Sequence, residues 1–583
     1  MLRRTLSVGS AASTKARAAI DSAREMPAAG SGPPATRVTA VDSSAAVEHY
    51  DHVVIGGGVA GCLFAARVSH PQQRTLVVER GPDIRKEAGP FAWGYKLPAA
   101  VVAHRLHNYK YSSSTPIAIG RDVTAGASSS STTCDLRTPS VLGGAMVALG
   151  GRTYIRGIAA DYDDFPLPWA TCMLPLFKRL ENIEKAGPHR GLHGKFELSR
   201  PAFYSPHHLP FVESLTKTQK TPLIADFNPS NMQQSLLGSG RPQVLVEPRS
   251  GRAFSTVTDY LEAALATKGP KALQVMCGAT VTGMTFTPSR RAGEEALHAA
   301  SSIEVTAQDG SKKTIIANKF TLCAGALGNP QILRGSTGLP AATTALLNTK
   351  GSSLWACPAI VMQYPFRPSA PPNTLASAAA SAFVRACVLA EWRFMKRGWG
   401  FSAFDDMTWH LTTGGKGVTG DGQYPNVRVS LQPFLLGGLE PSARHGIQCV
   451  VTLRRPSSRL PLEPSTGQLS SAARLVSSVE DENALREAAA IVNSVVLHGF
   501  KNQVEETLTE ARSCLVAEGP VGGSLPLGSV VSTLTMTLEG TSNVMVADGS
   551  LVPRPLLADP IPLTMALAER AADLATGKEV PQP

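Results

Sequence analysis

A glycine-rich turn near the start of the chain has the spacing that binds the phosphates of a dinucleotide. The stretch GGGVAG (56–61) fits the pattern G-x-G-x-x-G, follows an apolar run and precedes a helical pattern over 59–69. In such a turn Gly56 makes the tight bend, Gly58 lets a pyrophosphate approach the backbone, and Gly61 lets helix and strand pack closely. Glu79 ends the next strand, 23 residues after Gly56, where a carboxylate can accept hydrogen bonds from ribose hydroxyls.

The C-terminal part of the chain indicates which dinucleotide is bound. The stretch NVMVADGSLVPRP (543–555) and the helical pattern over 562–579 predict a strand, a glycine turn and a helix. Flavoproteins with such a C-terminal strand, turn and helix use the Asp-Gly pair, here Asp548-Gly549, and the following helix near the flavin end of FAD. NAD dehydrogenases need no such return of the C-terminus to the first domain. The two ends of the chain together favour FAD.

Six stretches, in this order and at these distances, resemble the glucose–methanol–choline (GMC) oxidoreductase family. They are VVIGGGVAGCLFAARVS (53–69), VLGGAMVALGGRTYIRGIAADYDDF (141–165), SGRAFSTVTDYLEAAL (250–265), LCAGALGNPQILRGSTGL (322–339), LRRPSSRL (453–460) and the C-terminal block. The resemblance implies an FAD-dependent enzyme that oxidises the CH–OH group of an alcohol, with hydride transfer to flavin N5. The substrate is not specified by these motifs.

The resemblance also implies an α/β fold. An FAD-binding Rossmann-like domain is expected to be interleaved with a substrate domain built on an antiparallel sheet with helices. The expected boundaries are a targeting segment and linker (1–45), FAD-domain segments (46–165, 236–340 and 511–583), a substrate-domain segment with a lid-like region (166–235) and the main substrate domain (341–510).

The family's cofactor contacts carry over to named positions. Those expected to hold the non-covalent FAD are Gly56, Gly58, Gly61 and Glu79 for the ADP half, Gly143 and Gly144 along the pyrophosphate or flavin, Val281 for adenine, Ala324 and Gly325 in the dinucleotide crevice, and Asp548 and Gly549 near the flavin. This half of the site matches the family.

The departures from the family gather around the reactive face of the flavin. Ala145-Met146 replace two serines, and Leu149-Gly150 stand near an expected asparagine. A family stretch that ends in Asp-His ends here in Cys357. The catalytic histidine, which precedes a proline, matches Gly519, and its partner matches Asp559. A neutral histidine suits removal of the hydroxyl proton at physiological pH, and glycine cannot replace it.

Several residues remain as possible bases. Asp559 is the leading candidate because its position in the family faces the substrate oxygen, although it also reads as a cap or turn residue before Pro560. Glu518 is one residue from the histidine position and would point differently. His410 or His445 would have to reach in from the other domain, without local support.

Simple periodicity predicts the supporting elements. Strands are expected within 53–55, 75–81, 273–286, 301–310 and 312–325, and helices within 169–187, 375–392, 479–496 and 562–579. The Ser/Thr-rich insertion 112–133 is expected to be a mobile surface loop.

The composition limits the class of protein and the cellular compartment in which it is expected. The chain of 583 residues is 43% hydrophobic and 17% charged, with no run of 18 apolar residues. Nine scattered cysteines without a CxxC pair argue against a zinc site or disulfide framework. The basic, Ser/Ala-rich N-terminus predicts a mitochondrial transit peptide and a matrix location. The net charge of +11 is spread along the chain, which argues against a nucleic-acid site.

Two functions follow from these observations. The first is a mitochondrial FAD-dependent oxidoreductase acting on an alcohol. The alternative is a catalytically degenerate descendant that serves as a structural subunit with protein partners in a mitochondrial assembly, with FAD structural or absent.

Overall fold

The structure is a computed structural model that describes residues 48–86, 111–120, 133–148, 153–183, 187–201, 203–229, 236–288, 297–370, 382–395, 398–401, 405–413, 424–433, 445–505, 511–578 and 580. The predicted targeting segment and Leu149-Gly150 lie outside these ranges.

The strands of the described residues are numbered in chain order. They are β1 (Glu48–Ile55), β2 (Thr75–Glu79), β3 (Ser112–Gly120), β4 (Thr133–Pro139), β5 (Thr153–Tyr154), β6 (Glu181–Asn182), β7 (Phe196–Glu197), β8 (Gly238–Gly240), β9 (Gln243–Val244), β10 (Leu273–Cys277), β11 (Ala279–Pro288), β12 (His298–Ala307), β13 (Lys312–Leu322), β14 (Ser353–Pro365), β15 (Met407–Leu411), β16 (Val427–Gln432), β17 (Gly446–Leu453), β18 (Leu460–Pro461), β19 (Arg474–Val476), β20 (Arg512–Gly522) and β21 (Val544–Val546).

The α-helices are numbered in the same way. They are α1 (Val59–Val68), α2 (Ala145–Ala148), α3 (Leu174–Leu180), α4 (His208–Gln219), α5 (Glu262–Lys268), α6 (Gly325–Arg334), α7 (Ala341–Thr349), α8 (Ala382–Ala390), α9 (Val479–Phe500) and α10 (Pro560–Ala575). Single π-helical turns precede α3 and α5, at Trp169–Met173 and Val257–Leu261, and another follows α8 at Glu391–Met395.

The first large sheet has the order β10-β2-β1-β13-β12-β11, with β21 also pairing with β13. The neighbours β10, β2, β1, β13 and β21 run parallel. All five residues of β2 are buried, as expected for a parallel strand covered on both faces. Because parallel strands end at the same edge, the residues that follow β1, β2, β13 and β21 meet there.

The second large sheet has the order β18-β14-β17-β16-β15-β8, with β20 also pairing with β14. Its strand pairs are antiparallel. One face packs against α9 in a second hydrophobic core that includes Trp409, Val429 and Val492. The predicted α/β fold class, with a Rossmann-like sheet and an antiparallel sheet, is therefore confirmed.

The prediction that the Ser/Thr-rich insertion 112–133 is a loop is wrong for its first part. Residues 112–120 form β3, which pairs with β4 and β19, whereas residues 121–132 lie outside the described ranges. Low complexity concealed a strand in which Ile117 is buried in the second core. Pairing satisfies the backbone of such a segment whatever its side chains.

The predicted helix over 169–187 is shorter than expected. It ends at Leu180, and Glu181 begins β6 with its side chain fully buried. The Glu181 carboxylate forms ion pairs with Arg156 and Arg190, 3.0 and 2.8 Å away. These long-range partners end the helix, and no local signal in the sequence announces them.

Candidate functional site

A cavity of about 410 Å³ lies at the carboxyl edge of the parallel strands. It collects residues from widely separated parts of the chain. The predicted cofactor residues among its lining are Gly56, Gly58, Glu79, Gly144, Val281, Ala324, Gly325, Asp548 and Gly549. Gly61 and Gly143 are not in the lining.

The three glycines of the first motif play different parts. Gly56 has a φ of +102°, and a Cβ there would lie 2.4 Å from the Cys323 carbonyl oxygen. A Cβ on Gly61 would lie 1.9 Å from the Gly56 carbonyl oxygen. These two glycines are therefore required by the turn and by helix packing. A Cβ on Gly58 would meet no protein atom within 4 Å, so that side of the turn is open to a ligand.

Glu79 is held in place by the same turn. Its carboxylate accepts hydrogen bonds from the backbone N–H groups of Gly57, at 2.7 Å, and Gly81, at 2.8 Å. Each carboxylate oxygen has a second lone pair. The buried Glu79 can therefore organise the turn and still accept a hydrogen bond from a ribose hydroxyl in the cavity.

Asp548 anchors the opposite wall of the cavity. Its carboxylate accepts hydrogen bonds from the Gly325 N–H at 2.7 Å, from Asn329 Nδ2 at 2.9 Å and from Ser550. Burial raises the pKa of Asp548, while these donors oppose the shift. Asn329 and Ser550 are functional positions that sequence reasoning missed. The only signal for Asn329 was its place before a proline in the GNPQ stretch.

A second set of charged residues lies beside this cavity, on the other face of the antiparallel sheet. It consists of Asp405, Arg428, Arg454, Glu518 and Asp559, and we call it the carboxylate cluster. Arg428 forms ion pairs with Asp559 and, at 3.3 Å, with Asp405, and donates to Thr153 Oγ1 at 3.0 Å. Burial opposes the charge on Arg428, but the three carboxylates raise its pKa, so the guanidinium stays protonated.

Asp559 occupies the position before α10, as expected, but does not cap that helix. Its carboxylate instead contacts Arg428 and accepts the Ile155 N–H at 3.1 Å. Both oxygens of the leading candidate base are therefore engaged. Local sequence could not reveal this, because Arg428 lies 131 residues away.

Gly519 lies in β20 with a φ of +71°, and a Cβ there would meet no atom within 4 Å. The position has room for a side chain, but its backbone conformation is one that L-residues rarely adopt. Gly519 does not line the cavity, although Val521 on the same strand does.

The other positions predicted to depart from the family pattern, and the alternative base His410, are buried. Ala145 and Met146 are buried in α2. Burial raises the pKa of the Cys357 thiol to about 11, so it is not a thiolate. His410 is fully buried, and burial together with Arg428 and Arg454 lowers its pKa to about 3.

The described residues carry no sign of a metal centre or of a membrane-spanning helix. No group of three or more His, Cys, Asp or Glu side chains there could hold a metal ion. None of their helices combines the length and apolarity needed to cross a bilayer. None of the nine cysteines forms a disulfide.

Comparison with known proteins gives relatives along most of the chain. The oxygen-dependent choline dehydrogenase of Staphylococcus epidermidis is 26% identical over 599 residues, which cover 92% of this chain and 95% of that protein. The mitochondrial choline dehydrogenase of Homo sapiens is 28% identical over 309 residues, which cover 51% of this chain and 47% of that protein. No protein-family model matches the chain.

Solved structures share the fold. Pyridoxine 4-oxidase from Mesorbium loti superposes with a TM-score of 0.64 at 20% identity, covering 91% of this chain and all of that one (100%). A formate oxidase variant from Aspergillus oryzae gives a TM-score of 0.71 at 17% identity, covering 91% and 98%. A fungal aryl-alcohol oxidase gives 0.66 at 14% identity, covering 91% and 99%.

Proposed function

Because the chain belongs to the glucose–methanol–choline oxidoreductase family, we propose that it is an FAD-dependent oxidoreductase acting on the CH–OH group of an alcohol. The FAD is bound non-covalently. Oxidised FAD supplies a two-electron acceptor for the hydride that leaves the alcohol carbon.

The observation that carries this proposal is the open side of Gly58 at the cavity. Two of the three motif glycines are explained by protein contacts, but Gly58 is not. The start of α1 has no side-chain cap and no acidic residue in its first turn. Unpaired N–H groups at a helix start attract phosphate oxygens. A dinucleotide pyrophosphate therefore fits this position.

The lining residues have distinct proposed roles. Glu79 would accept from the ribose hydroxyls, and the backbone around Val281 would contact adenine. Gly144, Ala324 and Gly325 would lie along the pyrophosphate, and Asp548 and Gly549 near the flavin. Gly61 and Gly143 would act indirectly, since they pack the turns without lining the cavity.

The proton of the substrate hydroxyl needs a separate acceptor. General-base catalysis contributes about 10²–10⁴-fold to such reactions. Asp559, the acceptor favoured by the sequence, is engaged with Arg428 and Ile155. These contacts support a positioning role for Asp559 more than proton transfer.

A visible spectrum of the purified full chain, recorded anaerobically, tests the proposal. We expect a flavin band near ~450 nm that precipitation with acid releases into solution, as non-covalent FAD requires, and that bleaches with an alcohol from a panel including choline. Absence of the band after incubation with FAD would refute the cofactor assignment. A band that no alcohol bleaches would refute the assigned reaction and leave the structural-subunit alternative.

We also propose a mitochondrial matrix location. It is supported by the basic, Ser/Ala-rich segment 1–45 and by the similarity to human mitochondrial choline dehydrogenase. A fluorescent protein fused after residue 45 should enter mitochondria, and cytosolic fluorescence would contradict the assignment.

A further inference from the structure

The face of the antiparallel sheet that is turned away from the second core carries an unusual row of polar side chains. In neighbouring strands His410 lies opposite Arg428, and Arg428 lies opposite Thr452. Arg454 follows Thr452 by two residues and so shares this face. Glu518 reaches the same row from β20, since its carboxylate accepts a hydrogen bond from the Thr452 hydroxyl.

Several polar atoms of this row are buried without a hydrogen-bond partner among the described residues. They are Thr408 Oγ1, Arg428 Nε, Arg454 Nε and the two His410 ring nitrogens, one of which faces the Leu236 backbone outside good hydrogen-bond geometry. An unsatisfied buried polar group costs about 1–3 kcal/mol. A ligand or an ordered water at this face would satisfy these atoms.

The carboxylate cluster is unevenly neutralised. Asp559 and Asp405 share the Arg428 guanidinium, and Asp405 also accepts from Ser430 and Gln432. Arg454 donates to the backbone oxygens of Leu556 and Ala558. Among the described residues, Glu518 is the one carboxylate of this cluster that forms no ion pair. It accepts a hydrogen bond from the Thr452 hydroxyl instead.

Glu518 is also close to the cavity along the chain. Val521, three residues later on β20, lines the cavity, and three residues of chain span at most about 10 Å. Asp559 is similarly placed, two residues before the lining residue Ile561. Glu518 is partly exposed, whereas Asp559 and Arg428 are buried. Of the two carboxylates that adjoin lining residues along the chain, Glu518 is therefore the more accessible.

We propose that Glu518 is the catalytic base, and that Arg428 and Asp559 form a fixed ion pair that positions it. This inference rests on the proposed function. As the alcohol is oxidised, its O–H bond breaks and the proton forms a new O–H bond with a Glu518 oxygen. The C–H bond breaks at the same carbon, and its electron pair leaves as hydride to oxidised FAD. The product is the carbonyl compound, reduced flavin and a neutral Glu518.

The surroundings suit this role. Burial raises the pKa of Glu518, against the lowering effect of Arg428, the Thr452 hydroxyl and Arg454, and Asp405 adds to the rise. Cys357, its neighbour on β14, stays a neutral thiol. His410 is a poorer acceptor because an imidazolium there would face both arginines.

Thermal unfolding of the full chain provides the first test, and it needs neither substrate nor turnover. A carboxyl whose pKa is raised by folding stabilises the folded state below its unfolded pKa and ceases to do so as pH rises. We expect Glu518→Gln to raise Tm relative to wild type at pH 8, on the order of 1–2 °C, with little change at pH 4. The exposed Glu213→Gln is the matched control. Equal Tm differences at both pH values would overturn the proposal.

Anaerobic flavin reduction by choline, benzyl alcohol and ethanol provides the second test. We expect Glu518→Gln to slow reduction by about 10²–10⁴-fold and to abolish its rise with pH. Glu518→Asp should keep the pH dependence at an intermediate rate, and Asp559→Asn should keep it at a reduced rate. If Glu518→Gln keeps the wild-type rate and pH profile, Glu518 is not the catalytic base, and the proposed function is unaffected. Failure of all three alcohols to reduce wild-type flavin would refute the proposed function, and the base with it.

Discussion

The cofactor cavity and the carboxylate cluster are neighbours, yet they are built by opposite means. The cavity is formed by glycines and backbone groups at the ends of parallel strands, with Glu79 and Asp548 held by N–H donors. The cluster is formed by charged side chains on and next to strands of an antiparallel sheet, and both of its arginines have an unsatisfied Nε. The first region contains most of the residues predicted to hold FAD, and the second contains the candidate proton acceptors Asp559 and Glu518.

The largest effect should come from breaking the ion pair in the cluster. Arg428→Met leaves Asp559 and Asp405 buried without a cation, and should lower the free energy of unfolding by about 3–5 kcal/mol. Chemical denaturation measures this loss. Lys217→Met is the control, because its pair with Glu213 is exposed and 3.9 Å long and contributes about 0.2–1 kcal/mol. Similar losses in both variants would show that Arg428 does not compensate the buried charges of Asp559 and Asp405.

Two glycine substitutions should separate packing from ligand binding in the cavity. Gly61→Ala brings a methyl group against the Gly56 carbonyl and should cost about 1–3 kcal/mol of stability. Gly58→Ala meets no protein atom, so the apoprotein should unfold within about 0.5 kcal/mol of wild type. Its FAD affinity should nevertheless fall at least about tenfold, or 1.4 kcal/mol. Fluorescence titration with FAD measures the affinity, and an unchanged value would contradict the role of Gly58.

The smallest effect tests Gly519, the position predicted to correspond to the family's catalytic histidine. Gly519→His places a side chain in open space but on a left-handed backbone, which costs about 1–2 kcal/mol. We expect a modest fall in Tm and no faster flavin reduction than wild type, since the strand would have to shift before the ring could serve. A variant that reduces faster without loss of Tm would show that only the side chain was lost in this region.

The cofactor cavity could be predicted from the sequence better than the carboxylate cluster. The glycine turn and Glu79 are specified by residues within one strand–turn–helix unit, so pattern and spacing were enough. Asp559 was predicted from the sequence, but its partner Arg428 was not. Arg428 lies on β16 of the antiparallel sheet, 131 residues away along the chain. Asn329 was missed for a similar reason, since its role depends on Asp548, 219 residues away. Side-chain pairs of this kind are fixed by tertiary packing and leave no local periodicity.

One strand belongs to both regions. β20 carries Glu518 in the cluster and Val521 in the cavity wall, and it is paired with β14 along most of its length. The pairing is irregular between Glu518 and Gly522, so this part of β20 is not a regular strand. Three residues of covalent chain still limit the separation of Glu518 and Val521 to about 10 Å, and relative motion of the two large sheets cannot exceed that limit.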